Sequence, residues 1–569
     1  MDYKENYKKW LADVNFDEAT RAELAALTDD EEIKERFYKD LEFGTAGLRG
    51  VIGAGTNRMN IYTVRKATQG FANYIINEKP EGDGIAISFD PRNMSKEFAR
   101  ETALVFNANG IKTYIYKGLR PTPQLSFTVR KLKTAGGVMI TASHNPPEYN
   151  GYKVYGPDGG QVVSPADEQI ITCVNNIKDF GEIKTMSLED AKAKGLYIEL
   201  DDDMDEDFIE TSLGLSLKKD DAGKDIKIIY TPLHGAGLVP IEKVLERDGF
   251  TNVTILPEQA KPDGNFPTVE YPNPEDPKAF ALGIKLAKEI DADMVIGSDP
   301  DADRIGIITK DDKGEYIHLN GNIVGVLLAN YILSKRKEQG TLPNDPAIIT
   351  SIVSSKMTKV VAEHYGAHYF EVFTGFKHVA QQIKKFTKEN YIYSFEESYG
   401  YMTGDHVRDK DAVGMTMLAC EMVADYKAKG KTLYQGIQDL YAQFGFYKEE
   451  TISLTIKGIT GTEKILRIMD HFTNNVPEQF NGSKVVEYRN YKTEIIKNLV
   501  TGEETSTHTP SSNVRYFVLE DGTWVCVRPS GTEPKIKFYV GVTSDSTEKS
   551  SEKIAAIKKE ILAIVDEIE

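Results

Sequence analysis

Residues 136–153 read GGVMITASHNPPEYNGYK, and the punctuation of this stretch decides the fold. Val138, Met139 and Ile140 form a short apolar run behind two glycines, the pattern of a buried strand. Thr141-Ala142-Ser143-His144-Asn145 follows, and Pro146-Pro147 then forbids a central strand from continuing. A serine beside a histidine is thus set on a rigid loop at a strand end, where a hydroxyl can carry a covalent intermediate. A polar turn after a core strand looks the same locally, so the decision falls to the rest of the chain.

Toward the N-terminus, Asp29-Asp30 caps a helix over EEIKERFYKDL, which delivers residues 42–50, EFGTAGLRG. Their glycines allow close backbone approach to a ligand and present Arg49, a residue suited to phosphate. A helix over 65–76, a strand over 85–89 ending at Asp90-Pro91-Arg92, a helix over 97–109 and a strand over 111–116 follow. Strands separated by helices of this length predict an α/β domain.

Toward the C-terminus, ELDDDMDED at 199–207 is an acidic break. Beyond it come a strand over 226–230, a helix over 241–247, a strand over 253–256, the Pro-rich loop KPDGNFPTVEYPNPEDP, a helix over 279–290 and a strand over 294–297. That strand runs into Ser298-Asp299-Pro300-Asp301-Ala302-Asp303-Arg304. Asp299, Asp301 and Asp303 alternate, so in an extended segment they share a face and converge on a hard cation. An EF-hand is excluded, because neither its glycine nor its glutamate is in place. Three oxygens do not fill the six sites of Mg²⁺, so a phosphate-borne ligand is expected as a fourth.

A third unit carries helices over 322–333 and 356–364, a strand over 348–351 and a strand reaching Thr374-Gly375-Phe376-Lys377. A strand over 391–394 then runs into Phe395-Glu396-Glu397-Ser398-Tyr399-Gly400, followed by GDHVRDKDA with His406, Arg408 and Lys410. Three times a short apolar strand (VMIT, MVIG, YIYS) enters a serine-containing polar loop, which predicts three related α/β units sharing a ligand cleft at strand C-termini. From about residue 447 the texture changes to strands over 451–456, 514–519, 523–527 and 536–542, a Ser/Thr-rich loop at 501–512 and a final helix from 552, an α+β pattern. Arg528-Pro529-Ser530-Gly531-Thr532-Glu533-Pro534-Lys535-Ile536-Lys537 offers an arginine, hydroxyls, a glycine N–H and lysines, a cradle for phosphate.

Composition narrows the function. With 69 Lys and Arg against 87 Asp and Glu, the net charge of −18 argues against nucleic acid or an anionic membrane as partner. No apolar leader precedes the first helix, the apolar run at 323–333 is too short to span a bilayer, and Cys173, Cys420 and Cys526 lack metal-type spacing. A cytoplasmic protein is expected.

Together, TASHNP, GSDPDADR, FEESYGY with VRDKDA, and RPSGTEPKIK resemble the α-D-phosphohexomutase superfamily, and FGTAGLRG and TGFKH resemble its bacterial phosphoglucomutase and phosphopentomutase-like branch. The resemblance covers almost the whole chain, in order, with no departure at a catalytic motif. It implies three α/β mixed-sheet domains (1–205, 206–318, 319–445) and a TATA-binding-protein-like α+β domain (446–569) around one cleft. By resemblance, Ser143 is the phosphorylated serine, and Asp299, Asp301 and Asp303 hold one Mg²⁺ with the Ser143 phosphate as fourth ligand. Arg49, His144, Lys153, Arg304 and Lys410 fall at the transferring phosphoryl, and three of them (His144, Lys153, Lys410) compete for the acid and base roles. Thr374, Gly375, Lys377, Glu396, Ser398 and His406 fall on substrate contacts, and Arg528, Ser530, Gly531, Thr532 and Lys537 on a second phosphate site.

The implied activity is interconversion of glucose 1-phosphate and glucose 6-phosphate through a phosphoserine and a glucose 1,6-bisphosphate, which also serves as activator. Phosphopentomutase or phosphomannomutase activity by the same mechanism, a glucose 1,6-bisphosphate synthase, a phosphatase and a non-catalytic sugar-phosphate sensor are the alternatives. Small-molecule sugar phosphates are the expected partners, and nothing in the sequence marks a dimer face.

Overall fold

The VMI run becomes the strand Gly136–Ile140, buried at all five positions. It lies inside a six-stranded sheet of order Leu48–Val51, Tyr149–Tyr155, Gly136–Ile140, Ile85–Phe89, Thr113–Tyr116, Tyr197–Leu200. The last four run parallel, Tyr149–Tyr155 returns antiparallel to them, and Leu48–Val51 pairs antiparallel to that return. Val138 and Ile140 join a core with Phe71, Phe98 and Phe106 on one face, while Met139 joins Leu125 and Val129 on the other. Helices on both faces explain why the strand reads as a continuous apolar run rather than an alternating one.

The structure is a computed structural model that describes residues 2–44, 47–456, 459–530 and 535–568. The chain divides into two units, Met1–Gly321 with Gly375–Leu433, and Asn322–Thr374 with Tyr434–Glu569. The first unit also holds a second mixed sheet of order Tyr316–Leu319, Ile305–Lys310, Met294–Ser298, Ile228–Thr231, Val253–Ile255, and the antiparallel pair Asn390–Glu396 and Gly400–Thr403. The three strands carrying VMI, MVIG and YIYS therefore share one design. Each enters a loop and is answered by an antiparallel return, namely Tyr149–Tyr155, Ile305–Lys310 or Gly400–Thr403. The three loops are legible in the sequence, and the three returns are not.

The acidic run at 199–207 is built into regular elements rather than left as loop. Its start belongs to the strand Tyr197–Leu200 and its remainder to the helix Asp202–Leu213, with Asp202, Asp203 and Asp205 in the first turn. Carboxylates are favoured there by the unpaired N–H groups of a helix start. Near the N-terminus, helices Tyr3–Ala12, Glu18–Ala25 and Asp30–Phe37 gather Trp10, Phe16 and Phe37 into a small core of their own, with Trp10 stacked on Phe16 at 4.1 Å.

In the second unit, strands Pro346–Ser351 and His368–Val372 pair in parallel. An antiparallel sheet follows, of order Phe446–Thr455, Lys535–Ser544, Trp524–Pro529, Arg515–Leu519, Ser483–Asn490, Ile495–Asn498, Glu504–Ser506. Helices Ile459–Asn474 and Thr547–Glu567 supply Ile468, Phe472, Ile557 and Ile561 to its core. The Ser/Thr-rich segment predicted as loop contains the strand Glu504–Ser506, fully exposed at an edge where no apolar pattern is required. Among the described residues, no helix is long and apolar enough to cross a membrane.

Glu449, on the strand Phe446–Thr455, has one carboxylate oxygen without a hydrogen-bond partner, and burial pushes its pKa up to about 7. The folded chain then holds a proton that the unfolded chain releases near pH 4.5, so stability falls as pH rises from about 4.5 to 7. Glu449→Gln removes that penalty. It is expected to melt higher than the parent at pH 8 by an amount worth roughly 2 kcal/mol, with a smaller gap at pH 5. Melting curves at the two pH values check this, and a gap independent of pH would contradict it.

Candidate active site

Ser143 stands in the left-handed region at φ +53°, a conformation rare for a non-glycine residue and worth tracing to its cause. Its N–H donates to Thr141 Oγ1 at 2.7 Å, and that hydroxyl donates to Asp90 Oδ2 at 2.6 Å. Asp90 accepts further hydrogen bonds from Ser95 Oγ and the Arg92 N–H. The loop is therefore tied to the neighbouring strand Ile85–Phe89. Ser143 Oγ lies 3.0 Å from Asp299 Oδ2 and 3.2 Å from His144 Nδ1. Burial, with Arg304 and Arg49 nearby, holds the His144 pKa well below its usual value, so the ring is neutral.

Asp299, Asp301 and Asp303 are all buried, with one oxygen from each within 4.8 Å of the others. They converge by turning, not by extension. Ala302 is left-handed at φ +49°, its N–H donates to the Asp299 carbonyl at 2.9 Å, and the Asp303 and Arg304 N–H groups both donate to Asp299 Oδ1 at 3.0 Å. The expected extended segment is thus corrected to a tight turn closed by its own backbone. Asp301 Oδ1 and Asp303 Oδ1 are buried without hydrogen-bond partners. Burial and the adjacent Asp303 and Asp301 carboxylates push the Asp299 pKa well up. Buried oxygens left unpaired among like charges fit a hard divalent cation, whose binding would relieve both defects.

Two lysines meet this triad. Lys153 Nζ is 2.8 Å from Asp301 Oδ2 and 3.6 Å from Asp303 Oδ2, and Lys410 Nζ is 3.1 Å from Asp303 Oδ2. Burial works against both charges, yet the aspartates outweigh it and raise both pKa values, so both are ammonium ions. Lys153 belongs to the return strand Tyr149–Tyr155, in register with Met139. Arg49, on Leu48–Val51, reaches Asn145 Oδ1 at 3.4 Å. Arg304 pairs with Glu275 and lies 3.7 Å from Asp303 Oδ1.

Glu396 ends the strand Asn390–Glu396, and its carboxylate accepts the N–H of Gly375 at the start of the helix Phe376–Lys385. Burial, with Glu397 adding to it, pushes its pKa up to about 7. Ser398 lies half-buried in the following turn, Lys377 in the first turn of that helix, and Thr374 just ahead of it at the end of the other unit's segment. His406 goes elsewhere. It is buried beside Phe208, with Nε2 3.1 Å from Asp411 Oδ2, the carboxylate that caps the helix Ala412–Ala428. In the second unit, Arg528 and Lys537 are cross-strand partners, and the Ser530 N–H donates to the Lys535 carbonyl at 2.8 Å. Gly531 and Thr532 lie outside the described residues. Two cations directly opposite on adjacent strands repel, which an anion between them would reverse.

Phosphoglucomutase/phosphomannomutase models match the chain in order: α/β/α domain I over 40–180, domain II over 206–314, domain III over 320–444 and the C-terminal domain over 478–561. The chain belongs to the phosphoglucomutase/phosphomannomutase family. It is 37% identical to a phosphoglucomutase of Staphylococcus aureus over 535 residues, 93% of this chain and 94% of that protein. Its fold is similar to a phosphoglucomutase from Paramecium (18% identity, TM-score 0.68, 93% of this chain and 95% of that one). It is also similar to an Aspergillus fumigatus N-acetylphosphoglucosamine mutase in complex with GlcNAc-6P and magnesium (13% identity, TM-score 0.51, 94% and 97%).

Within this family fold, several supporting residues escaped the sequence reading. Asp409 is fully buried, accepts from Tyr155 Oη at 2.8 Å and Gln161 Nε2 at 2.9 Å, and holds Lys410 Nζ at 3.0 Å. Glu275, from the Pro-rich loop, anchors Arg304. Arg92 grips the Ser143 loop from behind. Only Asp90-Pro91-Arg92 carried a local signal, a polar cluster closing an apolar strand beside the Ser143 strand.

Proposed function

We propose that this chain is a Mg²⁺-dependent α-phosphoglucomutase that interconverts glucose 1-phosphate and glucose 6-phosphate, with glucose 1,6-bisphosphate as intermediate and activator. The observation that carries this reading is Ser143 Oγ, 3.0 Å from the Asp299 carboxylate of a buried aspartate turn and bordered by a neutral imidazole. Phosphoryl transfer needs charge neutralisation and in-line positioning above all. Asp299, Asp301 and Asp303 would hold the Mg²⁺, which supplies charge stabilisation to the phosphoryl oxygens. Arg49, Arg304, Lys153 and Lys410 add fixed positive charge around the same group.

When Ser143 attacks a sugar phosphate, its Oγ–P bond forms as the sugar O–P bond breaks. The serine proton passes to His144 Nδ1, and an ammonium group, Lys153 or Lys410, protonates the departing sugar oxygen. The same step in reverse passes the Ser143 phosphoryl to the free 6-hydroxyl of glucose 1-phosphate, giving the 1,6-bisphosphate, from which Ser143 then recovers the other phosphoryl and leaves glucose 6-phosphate. Glu396, Ser398, Thr374, Gly375 and Lys377 are assigned to the sugar hydroxyls, and Arg528, Ser530 and Lys537 to the phosphate that is not being transferred. The buried position of His406 beside Asp411 supports a structural role for it instead.

A coupled assay with Mg²⁺ and a trace of glucose 1,6-bisphosphate tests the reading, comparing the 1-phosphates of glucose, mannose and ribose by kcat/KM. Preference for glucose is the expected result. Preference for ribose would reassign the substrate with the chemistry intact, and binding without turnover would leave a sensor. Arg528→Ala is expected to raise KM for glucose 1-phosphate by about 10- to 100-fold, the worth of a hydrogen bond between charged groups, with a smaller change in kcat. An unchanged KM would remove Arg528 from the phosphate site.

A further inference from the structure

Arg92 donates hydrogen bonds to four backbone carbonyls of the Ser143 loop. It follows the strand Ile85–Phe89, the parallel neighbour of Gly136–Ile140, and its side chain has no solvent exposure. Nη2 donates to the carbonyls of Ser143 and Asn145, each at 2.5 Å. Nη1 donates to the carbonyls of Pro146 at 2.8 Å and Tyr149 at 3.1 Å. The Asp90 carboxylate stands 3.4 Å from Nε and neutralises the buried charge.

Four carbonyls of one nine-residue loop, 141–149, therefore converge on one guanidinium. A planar fork with five donors can serve four divergent acceptors, whereas an ammonium offers three donors from a single point. Fixing the Ser143 carbonyl fixes the peptide plane that follows Ser143, while the Ser143 N–H on Thr141 Oγ1 holds the plane before it, and together they maintain a left-handed backbone that an L-residue leaves unless held. The clamp is itself backed. The Phe266 ring covers the guanidinium, with its centroid 4.9 Å away. Phe266 comes from the Pro-rich loop ahead of the aspartate turn, where Asn93 Nδ2 donates to Asn265 Oδ1 at 2.9 Å. A Cβ on Gly264 would sit 2.5 Å from the Asn93 nitrogen, so only glycine permits this approach.

Resting on the reading of Ser143 as the phosphoryl carrier, we propose that Arg92 is the positioning residue for phosphoryl transfer, clamping the Ser143 loop by its carbonyls with Phe266 as backing. The clamp joins the loop that carries the phosphoryl to the Pro-rich loop, whose Glu275 holds Arg304 at the end of the aspartate turn. Ser143 Oγ and the carboxylates it faces are thereby held in one frame, and small misplacements between them are costly in rate.

The test compares the full-length chain with its Arg92→Lys and Phe266→Leu variants. For each, melting temperature, kcat and KM for glucose 1-phosphate, and amide hydrogen exchange of peptides covering 141–149 are measured. Arg92→Lys is expected to lower kcat about 100-fold while KM stays within about threefold, as a misplaced reacting group rather than weakened binding would do. Exchange is expected to quicken across 141–149 and to stay unchanged in the helix Ile61–Glu78. A folded Arg92→Lys chain with parental exchange in 141–149, or with kcat within about threefold of the parent, overturns the proposal.

If Arg92→Lys does not fold, Phe266→Leu decides, because it keeps the guanidinium and removes only its backing. Faster exchange confined to 141–149 with reduced kcat at constant KM supports the clamp, and parental exchange overturns it. Should the parent chain turn over no sugar phosphate, the mutase reading fails by itself. The exchange comparison needs no turnover and still decides whether Arg92 holds this loop.

Discussion

Ser143→Ala is expected to abolish mutase turnover, lowering kcat by at least about 10⁴-fold, the scale seen when a covalent nucleophile is removed. The same variant is expected to gain no phosphoryl mass after incubation with glucose 1,6-bisphosphate, whereas the parent gains one phosphoryl group. Ser143 Oγ donates to Asp299, but the loop itself is held by the Thr141, Asp90 and Arg92 contacts to its backbone. Alanine keeps all of these, so the variant should melt close to the parent and retain its affinity for glucose 1-phosphate. Loss of activity together with loss of folding would give Ser143 a structural role only. Turnover in a folded alanine variant would end the phosphoserine mechanism.

The second large effect concerns the aspartate turn. Asp301→Asn is expected to weaken Mg²⁺ binding by about 100-fold or more, read by calorimetric titration, and to lower kcat by roughly 10³-fold at saturating Mg²⁺. Asparagine preserves the shape of the side chain and can still accept from Thr122 Oγ1, which reaches Asp301 Oδ2 at 2.8 Å. The change is therefore mainly one of charge. Burial opposes ionisation of Asp301, but Lys153 outweighs it and holds the pKa below the usual carboxylate range, so the charge is present throughout the working pH range. Removing Mg²⁺ with a chelator should produce a comparable loss in the parent, reversed on adding Mg²⁺ back. Identical titrations for parent and variant would take Asp301 out of the metal site.

Much of this is legible in the sequence. VMI, MVIG and YIYS announce buried strands because a strand covered on both faces must be apolar throughout, and the loops behind them are recognisable by their polar residues and prolines. Ser143, the three aspartates, Lys153, Arg304 and Lys410 could be named because their residue types are dictated by phosphoryl chemistry and sit in short motifs. The return strand Tyr149–Tyr155 was harder to see. It mixes Asn150, Gly151 and Lys153 among its aromatics, so its pattern is set by the site as much as by the sheet. His406 is the reverse case, a residue beside a recognisable motif whose side chain turns into the protein to meet Asp411.

The sequence by itself determined the buried strands VMI, MVIG and YIYS with the loops they enter, the family, and the candidates for charge and nucleophile, because these depend on composition and spacing along the chain. Tertiary structure alone decided how the carboxylates converge, since a left-handed Ala302 and backbone bonds to Asp299 make the turn. It alone decided that Lys153 and Lys410 share Asp303, that Asp409 ties its neighbour Lys410 to Tyr155 and Gln161, and that Glu275 and Arg92 support the site from positions far away in sequence. Such partners are chosen by distance and by the need to satisfy every buried charge and carbonyl, conditions that no stretch of sequence states locally.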